Sequence, residues 1–419
     1  MDQRHGGDVA HPGLRALLAP LRHRGFRLFF VGQLVSTTGT WMQVVGQAWL
    51  VLAVTRSPFL LGLIGALQWT PALVLSPFAG VLADRVPRRT LVMATQTASL
   101  LLAASLGLLT VAGAVRYWHI AAAATLLGLV GAVDTPARQA LVIELVEGSE
   151  DLTGAIALNS ALFNGARLIG PSLGGLVIAA WGAGVAFLAN AASYAGVIAA
   201  LAVIRTGPPV RIASGVGLLM SVREGVEFVR RTPHVFRVLV LLGVLGLFPM
   251  NFELFVPVLA RMQLHLGAAG FGFLMAVQGV GATGGALAVA LLGRAVRRRR
   301  VLLWTAVTLS AATMALGFAR TALWASLLLV AVGATMIGFT AIANSTVQIE
   351  TPDALRGRVM SLYNLVYNGT TPPGALLIGW LIEAAGLPAA LAITGAIGLA
   401  GTLGIYAQLF RRRPRAAAL

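Results

Sequence analysis

The sequence predicts an all-α membrane protein with twelve transmembrane helices arranged in two similar bundles of six. Three observations support this prediction: the composition, the length and number of the apolar runs, and an internal repeat. The chain has 419 residues, of which 58% are hydrophobic and only 11% are charged, with a mean hydropathy of +0.84. This composition excludes a soluble enzyme, and it is typical of a chain that crosses a membrane many times with short loops.

Apolar runs long enough to cross about 30 Å of hydrocarbon occur six times before a central polar stretch and six times after it. They cover residues 28–54, 59–83, 91–113, 117–141, 154–180, 183–204, 236–260, 268–292, 301–319, 323–348, 356–382 and 387–410. Unpaired backbone groups are costly in lipid, and these runs far exceed the roughly ten residues of a barrel strand. Each run is therefore predicted to be a helix.

All 31 basic residues are arginines, and the arginines are sorted between the two sides of the predicted membrane protein. All but five lie in the chain ends or in the loops and helix ends on the same side as the chain ends. The exceptions are Arg56, Arg116, Arg261 and Arg320 in the opposite loops, and Arg167 within a span. The positive-inside rule then predicts a multi-pass protein of the plasma membrane with both termini in the cytoplasm. The net charge of +17 is thus a topology signal and gives no reason to expect nucleic-acid binding.

The predicted organisation has five parts. These are a cytoplasmic tail (1–27), a first bundle (28–204), a cytoplasmic linker (205–235), a second bundle (236–410) and a second cytoplasmic tail (411–419). The first tail carries five arginines and has no long apolar core, so we expect it to be retained and not cleaved as a signal peptide. In the linker, apolar residues from Leu218 to Val229 alternate with charged ones at helical spacing, which predicts an amphipathic helix along the inner membrane surface.

The two halves of the sequence also repeat each other. The segment Leu162–Gly165 is echoed by Val366–Gly369 at the matching place in the second half. The turn Asp84–Arg89 has a weaker echo in Gly293–Arg298, which has lost the aspartate. Duplication of a six-helix unit is typical of secondary transporters.

The loop after the second run contains the series Gly80, Asp84, Arg85, Arg88 and Arg89. This loop resembles the signature of the major facilitator superfamily, with Pro87 where glycine is commoner. The resemblance extends over the whole chain in span count, loop lengths and duplication, and it implies the major facilitator fold. It also implies that Asp84 docks on the start of the eleventh helix, where we expect Thr351 to be the N-cap.

The same resemblance implies that Arg88 pairs with an acid of the fourth helix, either Asp134 or Glu144, to close an inner gate. As an acid within a predicted span, Asp134 is also a candidate proton carrier, but it precedes Arg138 by one helical turn, which favours an ordinary structural ion pair. For Arg85 and Arg89, the simpler interpretation is that they are membrane-edge charges.

The fifth run contains the motif formed by Gly170, Pro171, Gly174 and Gly175. It resembles the motif that marks antiporters within the superfamily. Glycines let helices approach closely, and proline removes one backbone hydrogen bond, so the segment is suited to pack against the opposite half. Together with residues 134–139 and 356–363, this motif makes the chain similar to the subgroup that contains the enterobactin exporter and macrolide efflux proteins.

Two ionisable residues lie deep in predicted spans, where charges are costly. Glu253 lies between Pro249 and Pro257, which should break the seventh helix beside a polar cavity. Desolvation disfavours the glutamate anion, so Glu253 is either a proton carrier or a carboxylate that reaches the outer surface or the outer gate. Arg167 cannot lose its proton, so it holds an anionic part of a cargo, balances a carboxylate, or binds backbone carbonyls. Our hypothesis is that both residues face one cavity.

Polar residues at helical spacing indicate where that cavity lies, although any single one is more often a contact between helices. They are Gln33, Thr37, Thr40, Gln43 and Gln47 in the first span, Asn159, Ser160 and Asn164 in the fifth, and Tyr363, Asn364, Tyr367, Asn368 and Thr371 in the eleventh. Trp41, Phe163, Phe248 and Phe252 are candidates for an apolar lining.

The sequence therefore predicts a proton-coupled exporter, an antiporter of a small amphipathic molecule such as a siderophore or a drug, working by alternating access. An importer of the same fold and a membrane receptor without transport stay open as alternatives, and sodium is an alternative coupling ion. No catalytic constellation stands out, so we do not expect an enzyme. The chain has no cysteine, and we expect neither a metal nor a cofactor. The expected partners are a small-molecule substrate, protons and the lipid bilayer, and we expect a monomer.

Overall fold

The structure, a computed structural model, describes residues 18–146, 151–204, 218–292 and 298–411. Within these ranges it describes all side chains except those of residues 76–85, 218–222, 292 and 408–411. The described chain consists of α-helices joined by short turns, with a 3₁₀ turn at Ala19–Arg22 and a π-helical turn at Leu259–Gln263.

The first half contains six long helices. They are α1 (Arg24–Thr55), α2 (Pro58–Arg85), α3 (Arg88–Val111), α4 (Tyr117–Glu144), α5 (Leu152–Trp181) and α6 (Ala183–Val203). Successive helices run in alternate directions, so their ends lie on two faces of the protein. We call the face at which α1 begins the tail face, and the opposite face, which holds the turns at Arg56 and Gly182, the far face.

The second half begins with α7 (Leu218–Arg231), the predicted amphipathic helix, and continues through seven more helices. These are α8 (Pro233–Leu247), α9 (Phe252–Val258), α10 (Ala268–Leu292), α11 (Arg298–Leu316), α12 (Ala322–Glu350), α13 (Asp353–Gly369) and α14 (Thr371–Arg411). The short α9 continues the path of α8, and α13 leads into α14. At the far face α14 reverses at Gly386, whose φ of 81° is one that L residues with a side chain rarely adopt.

Within the described residues, nine stretches are long and apolar enough to cross a membrane. The stretch Asp353–Ala407 has 55 residues and contains the reversal at Gly386, so it provides two crossings. Two further long helices fall outside the nine: α1, which carries the predicted polar stripe, and α11, which begins with three arginines. Together these helices give the twelve crossings predicted from the sequence.

Each half packs mainly within itself. In the first half α1 lies against α5 and α6, α2 against α4, and α3 against α4 and α6. In the second half α12 lies against α10 and α11, while α14 lies against α8 and α11. The halves meet mainly through two helix pairs, α5 with α10 and α2 with α14, and α9 and α13 add smaller contacts with α1 and α2. The site is therefore bounded by helices from both halves.

Three local predictions differ from the structure. Helix α1 begins at Arg24, inside the stretch predicted as a tail, because a 3₁₀ turn leads directly into it. The eleventh crossing is not one continuous helix, since α13 ends at Gly369. Thr351 is not the N-cap of α13: it ends α12, where its hydroxyl donates to the carbonyl of Val347 at 2.6 Å, and Pro352 takes the N-cap position.

Candidate functional site

The seventh crossing breaks between α8 and α9, close to the predicted position. The carbonyl of Leu245 is not left free, because it accepts the Met250 N–H at 3.0 Å. The other carbonyl groups that the break leaves without helical partners are bound by the side-chain amide of Asn251, a residue outside the sequence motifs. Its Nδ2 donates to the carbonyl oxygens of Gly246 at 3.0 Å, Leu247 at 3.0 Å and Phe248 at 3.3 Å. The only sequence signal for this role is the position of Asn251, two residues after Pro249 inside an apolar run.

Arg167 lies halfway along α5 and faces rings from both halves of the protein. Its guanidinium carbon is 5.6 Å from the centre of the Trp41 ring in α1 and 5.1 Å from the centre of the Phe252 ring in α9. Such cation–π contacts stabilise a positive charge that has lost water. Within the described structure, the buried Nε of Arg167 has no hydrogen-bond partner. The guanidinium therefore keeps donor capacity for a further acceptor.

Glu253 lies in the first turn of α9, next to Phe252, and is mostly shielded from solvent. Glu253 directly follows Phe252, whose ring contacts Arg167, so the carboxyl and the guanidinium lie near each other, and Tyr367 of the second half lies near both. In the part of the chain that the structure describes, no ion pair within 4.0 Å joins Glu253 to Arg167. The carboxyl group of α9, the guanidinium of α5 and the phenol of α13 thus form one electrostatic cluster. Among the described residues, no salt bridge fixes the positions of the two charged groups.

The predicted polar residues of α13 extend this cluster toward the tail face. Tyr367 stacks on Tyr363 with ring centres 6.5 Å apart, and the Tyr363 hydroxyl donates to the carbonyl of Thr340 at 3.0 Å. Asn364 is exposed, and its carbonyl accepts Nδ2 of Asn368 at 3.0 Å. Their amide groups stay on the surface of the second half.

In α5 the predicted residues also face away from the core. Asn164 and Ser160 are exposed, and Asn164 donates to the Ser160 carbonyl at 2.8 Å. Phe163 beside them is 41% exposed. A polar and aromatic surface on the tail-side half of α5 is the surface expected of a helix that lines an aqueous or ligand-filled space.

Most of the polar stripe of α1 is used in contacts within the first half. Gln33 accepts from Arg138 at 2.8 Å, Gln43 accepts from Asn190 at 2.7 Å, and Gln47 donates to Gln68 at 3.0 Å. The hydroxyl of Thr40 is 3.2 Å from that of Tyr194. Thr37 differs, because its buried hydroxyl has no partner in the described structure. These bonds join α1 to α2, α4 and α6.

The gate motif is only partly described. The surroundings of Gly80 and the side chains of Asp84 and Arg85 lie outside what the structure describes. Of the two acids considered for Arg88, Glu144 lies 3.6 Å away, and both side chains of this pair are nearly buried. Arg89 instead binds the end of α6, donating to the carbonyls of Leu201 at 2.6 Å and Ala202 at 3.1 Å.

Asp134 is the centre of a separate buried network. It pairs with Arg138 one turn later, and it accepts from the hydroxyl of Thr95 at 2.6 Å and from Nε2 of Gln96 at 3.0 Å. Both carboxylate oxygens are therefore bound by α3 and α4.

The antiporter-like motif of α5 allows close helix contacts. A side chain on Gly170 would begin 2.5 Å from Cβ of Trp41, and one on Gly174 would begin 3.0 Å from Cα of Met42. On the other side of the helix, a side chain on Gly175 would begin 2.7 Å from Cα of Gly272 in α10. Pro171 lies between them without ending the helix. This motif holds α5 against both α1 and the second half.

Across the described ranges, no group of three or more histidine, aspartate or glutamate side chains is placed to hold a metal ion. The site is thus a set of charged, aromatic and amide groups between two bundles, and its chemistry is that of binding.

Comparisons with known proteins show to which family the chain belongs. The model of the transmembrane secretion effector family, a family of the major facilitator superfamily, matches residues 15–417. The multidrug efflux pump Tap of Mycolicibacterium fortuitum is 28% identical over 401 residues, covering 92% of this chain and 96% of the pump. The staphyloferrin A transporter of Staphylococcus aureus is 33% identical over 169 residues, which is 40% of this chain and 42% of that transporter.

Among solved structures, the nucleoside transporter NupG is similar in fold, with a TM-score of 0.74 at 11% identity over 92% of this chain and 99% of that chain. A POT family transporter in complex with 5-aminolevulinic acid has a TM-score of 0.71 at 12% identity over 93% of this chain. These structures are too distant in sequence to indicate a substrate. The family match over nearly the whole chain is decisive: the protein belongs to the transmembrane secretion effector family of the major facilitator superfamily, and it is a membrane transporter and not an enzyme.

Proposed function

We propose that the protein exports a small amphipathic molecule in exchange for protons, by alternating access of one central site to the two sides of the membrane. The observation that carries this proposal is the cluster of Arg167, Glu253 and Tyr367, which draws its members from both halves beside the helix break. A site shared by two halves changes its access when the halves rock against each other.

Glu253 is the proposed proton carrier. Asp134, the other acid considered, has both oxygens bound by hydrogen-bond donors, so its proton exchange would break a structural network. Glu253 has no such bonds among the described residues, and it lies within the field of a permanent positive charge. An acid in this position can bind and release a proton without unfolding its surroundings.

The proposed cargo fits the other members of the cluster. Trp41 is half-buried and offers a flat apolar surface, the buried ring of Phe252 supports Arg167, and Arg167 keeps a free donor. Tap and the staphyloferrin A transporter are named for drugs and a siderophore, which are small molecules of mixed polarity. We propose a cargo of that class.

The proposed orientation follows from the arginines: the tail face lies in the cytoplasm, and the membrane is the plasma membrane. The halves correspond to residues 28–204 and 236–410. In this orientation Asp84 closes the cytoplasmic gate on the start of α13, and the glycine motif of α5 is the surface on which the halves rock. The helices of the two halves pack tightly against each other at the far face. This closed far face supports the proposal that the cargo enters the site from the cytoplasm.

The test uses the purified protein in liposomes with an imposed pH gradient and ethidium, erythromycin or staphyloferrin A as separate probes. We expect gradient-driven transport of at least one probe by the wild type. Glu253→Gln should lose the gradient dependence while still binding the probe, and Arg167→Ala should weaken binding itself. Glu227→Gln is the matched control, because Glu227 is an exposed acid of α7 that pairs with Arg231.

Transport that persists in the wild type after the gradient is collapsed would contradict proton coupling. Transport by Glu253→Gln with an unchanged pH profile would remove Glu253 from the coupling step.

A further inference from the structure

Glu383 joins the two halves at the far face, although it belongs to none of the sequence motifs. It lies in α14, less than one turn before the reversal at Gly386, and belongs to the second half. Its Oε2 accepts a hydrogen bond from the hydroxyl of Ser57 at 2.5 Å and another from the backbone N–H of Phe59 at 3.1 Å. Both donors belong to the first half.

The two donors mark the start of α2, which begins at Pro58. The first N–H groups of a helix have no acceptor within the helix, and the helix dipole makes its N-terminus attractive to an anion. The Ser57 hydroxyl accepts the Leu60 N–H at 3.1 Å, as an N-cap does, and donates to Glu383. The carboxylate of one half therefore completes the N-terminal cap of a helix in the other half.

This cap depends on very close packing of the two halves. A side chain on Gly62 of α2 would begin 2.3 Å from the carbonyl oxygen of Ala375, and one on Gly379 would begin 2.8 Å from that of Pro58. The backbones of α2 and α14 thus touch within one turn of the cap. A separation of the halves by even a few ångströms at this face would break both hydrogen bonds of Glu383.

A second contact joins the same face independently. Arg261 follows α9 and donates to the carbonyl of Trp49 in α1 at 3.2 Å, with its guanidinium 4.5 Å from the centre of the Trp49 ring. The Trp49 ring also stacks on the Phe271 ring of α10, with ring centres 6.1 Å apart, which adds an apolar contact between the halves. Arg261 and Trp49 hold a different edge of the far face, so among the described residues the Glu383 cap is one of two polar contacts between the halves there.

We propose that Glu383 is a positioning residue that latches the far face closed by capping α2 across the interface. Capping stabilises only the state in which the far face is closed, because the open state has no carboxylate at this helix start. The latch rests on the proposed rocking of the halves, but it concerns the balance between two conformations and not the coupling ion.

The test measures this balance directly. The chain has no cysteine, so Ala114→Cys and Leu323→Cys place two spin labels on exposed far-face positions of opposite halves. Double electron–electron resonance on the full chain in lipid nanodiscs then gives the populations with short and long far-face distances. Glu383 is exposed, so we expect Glu383→Ala to lower the ratio of closed to open by about twofold to fivefold, the range for losing an anion at an exposed helix start.

Three further variants separate the latch from a general effect. Glu383→Gln keeps an acceptor without the charge, and Ser57→Ala keeps the charge without one donor, so both should give a smaller shift in the same direction. Ser57→Ala also tests the proposal if Glu383→Ala fails to fold. Glu227→Gln removes an exposed acid that does not join the halves and should leave the distances unchanged.

A wild-type distance distribution in both Glu383→Ala and Ser57→Ala overturns the latch, as does an equal shift in Glu227→Gln. Gradient-driven transport in liposomes is measured separately, so a failed latch with intact coupling, or lost coupling with an intact latch, identifies which proposal is wrong.

Discussion

At the far face, α2 packs on α14 and α5 packs on α10 so closely that glycine backbones touch. Near the tail face, the described hydrogen bonds and ion pairs join helices of the same half, as in the pair of Arg88 with Glu144 and the network of Asp134. The two regions therefore have different structural roles. The tail-side networks hold each half together, while the far-side contacts hold the halves to each other in one conformation.

This difference predicts two separable classes of variant. A change in a tail-side network should lower stability without changing the balance of conformations. A change in a far-side contact should alter the balance of conformations without lowering stability.

Asp134→Ala should lower the free energy of unfolding by about 3 kcal/mol, because it leaves Arg138 buried without its counter-charge. Thermal unfolding in detergent measures the loss. The double variant Asp134→Ala/Arg138→Met should recover part of it, since no buried charge is then left unpaired. An altered far-face distance distribution in the folded Asp134→Ala protein would contradict the assignment of this network to stability.

Gly175→Ala should shift the far face toward the open state by about tenfold, because its new Cβ would lie 2.7 Å from Cα of Gly272 and overpacking costs about 1–3 kcal/mol. The spin-label pair at 114 and 323 measures the shift. Gly196→Ala is the matched control, since nothing lies within 4 Å of a Cβ at that exposed position. Equal distributions in the two variants would mean that the α5–α10 contact does not limit closure.

Asn251→Ala should cost about 1–2 kcal/mol of stability, because three carbonyls at the α8–α9 break lose their shared donor. Asn251→Asp should lose at least as much stability as Asn251→Ala, since a carboxylate accepts hydrogen bonds but does not donate them. Hydrogen exchange of the amides around the break should rise in both variants. Full stability of Asn251→Asp would show that the donor role is wrong.

The smallest expected effect is a pH dependence at the start of α5. Partial burial raises the pKa of Asp151, but hydrogen bonds with His23 and Arg22 outweigh it and hold that pKa below its ordinary value. Because the pKa is lower in the folded state, this contact stabilises the fold above about pH 4 and is lost as the pH falls through the folded-state pKa. Asp151→Asn should unfold at a lower temperature than wild type at pH 7, and the difference should disappear in acid. A difference that is constant with pH would contradict the pairing.

Much of the architecture was predictable because it follows from local rules. Lipid requires apolar runs about 20 residues long, and Pro249 cannot continue a hydrogen-bonded helix, so the crossings and the break in the seventh could be placed from the sequence. The boundary errors at Arg24 and Thr351 are shifts of four residues and one residue at helix ends, where the chain has several ways to satisfy the same backbone groups.

The partners of the polar residues were not predictable, because they depend on which helices become neighbours. The stripe from Gln33 to Gln47 has the same spacing whether it faces a cavity or α6, and only the fold assigns Gln43 to Asn190. Glu383 gave no signal at all, since an acid near a loop is common and its partner Ser57 lies in the other half of the sequence.

In the proposed mechanism, the tight far face is one of two alternating conformations. Double electron–electron resonance on wild-type background measures it most directly, using the far-face pair at 114 and 323 and a second, tail-face pair from Thr90→Cys and Ala354→Cys, both exposed and in opposite halves. Across a titration of pH in nanodiscs, we predict that the far-face distance lengthens as the tail-face distance shortens. Distances that stay fixed, or that lengthen together, would contradict the account.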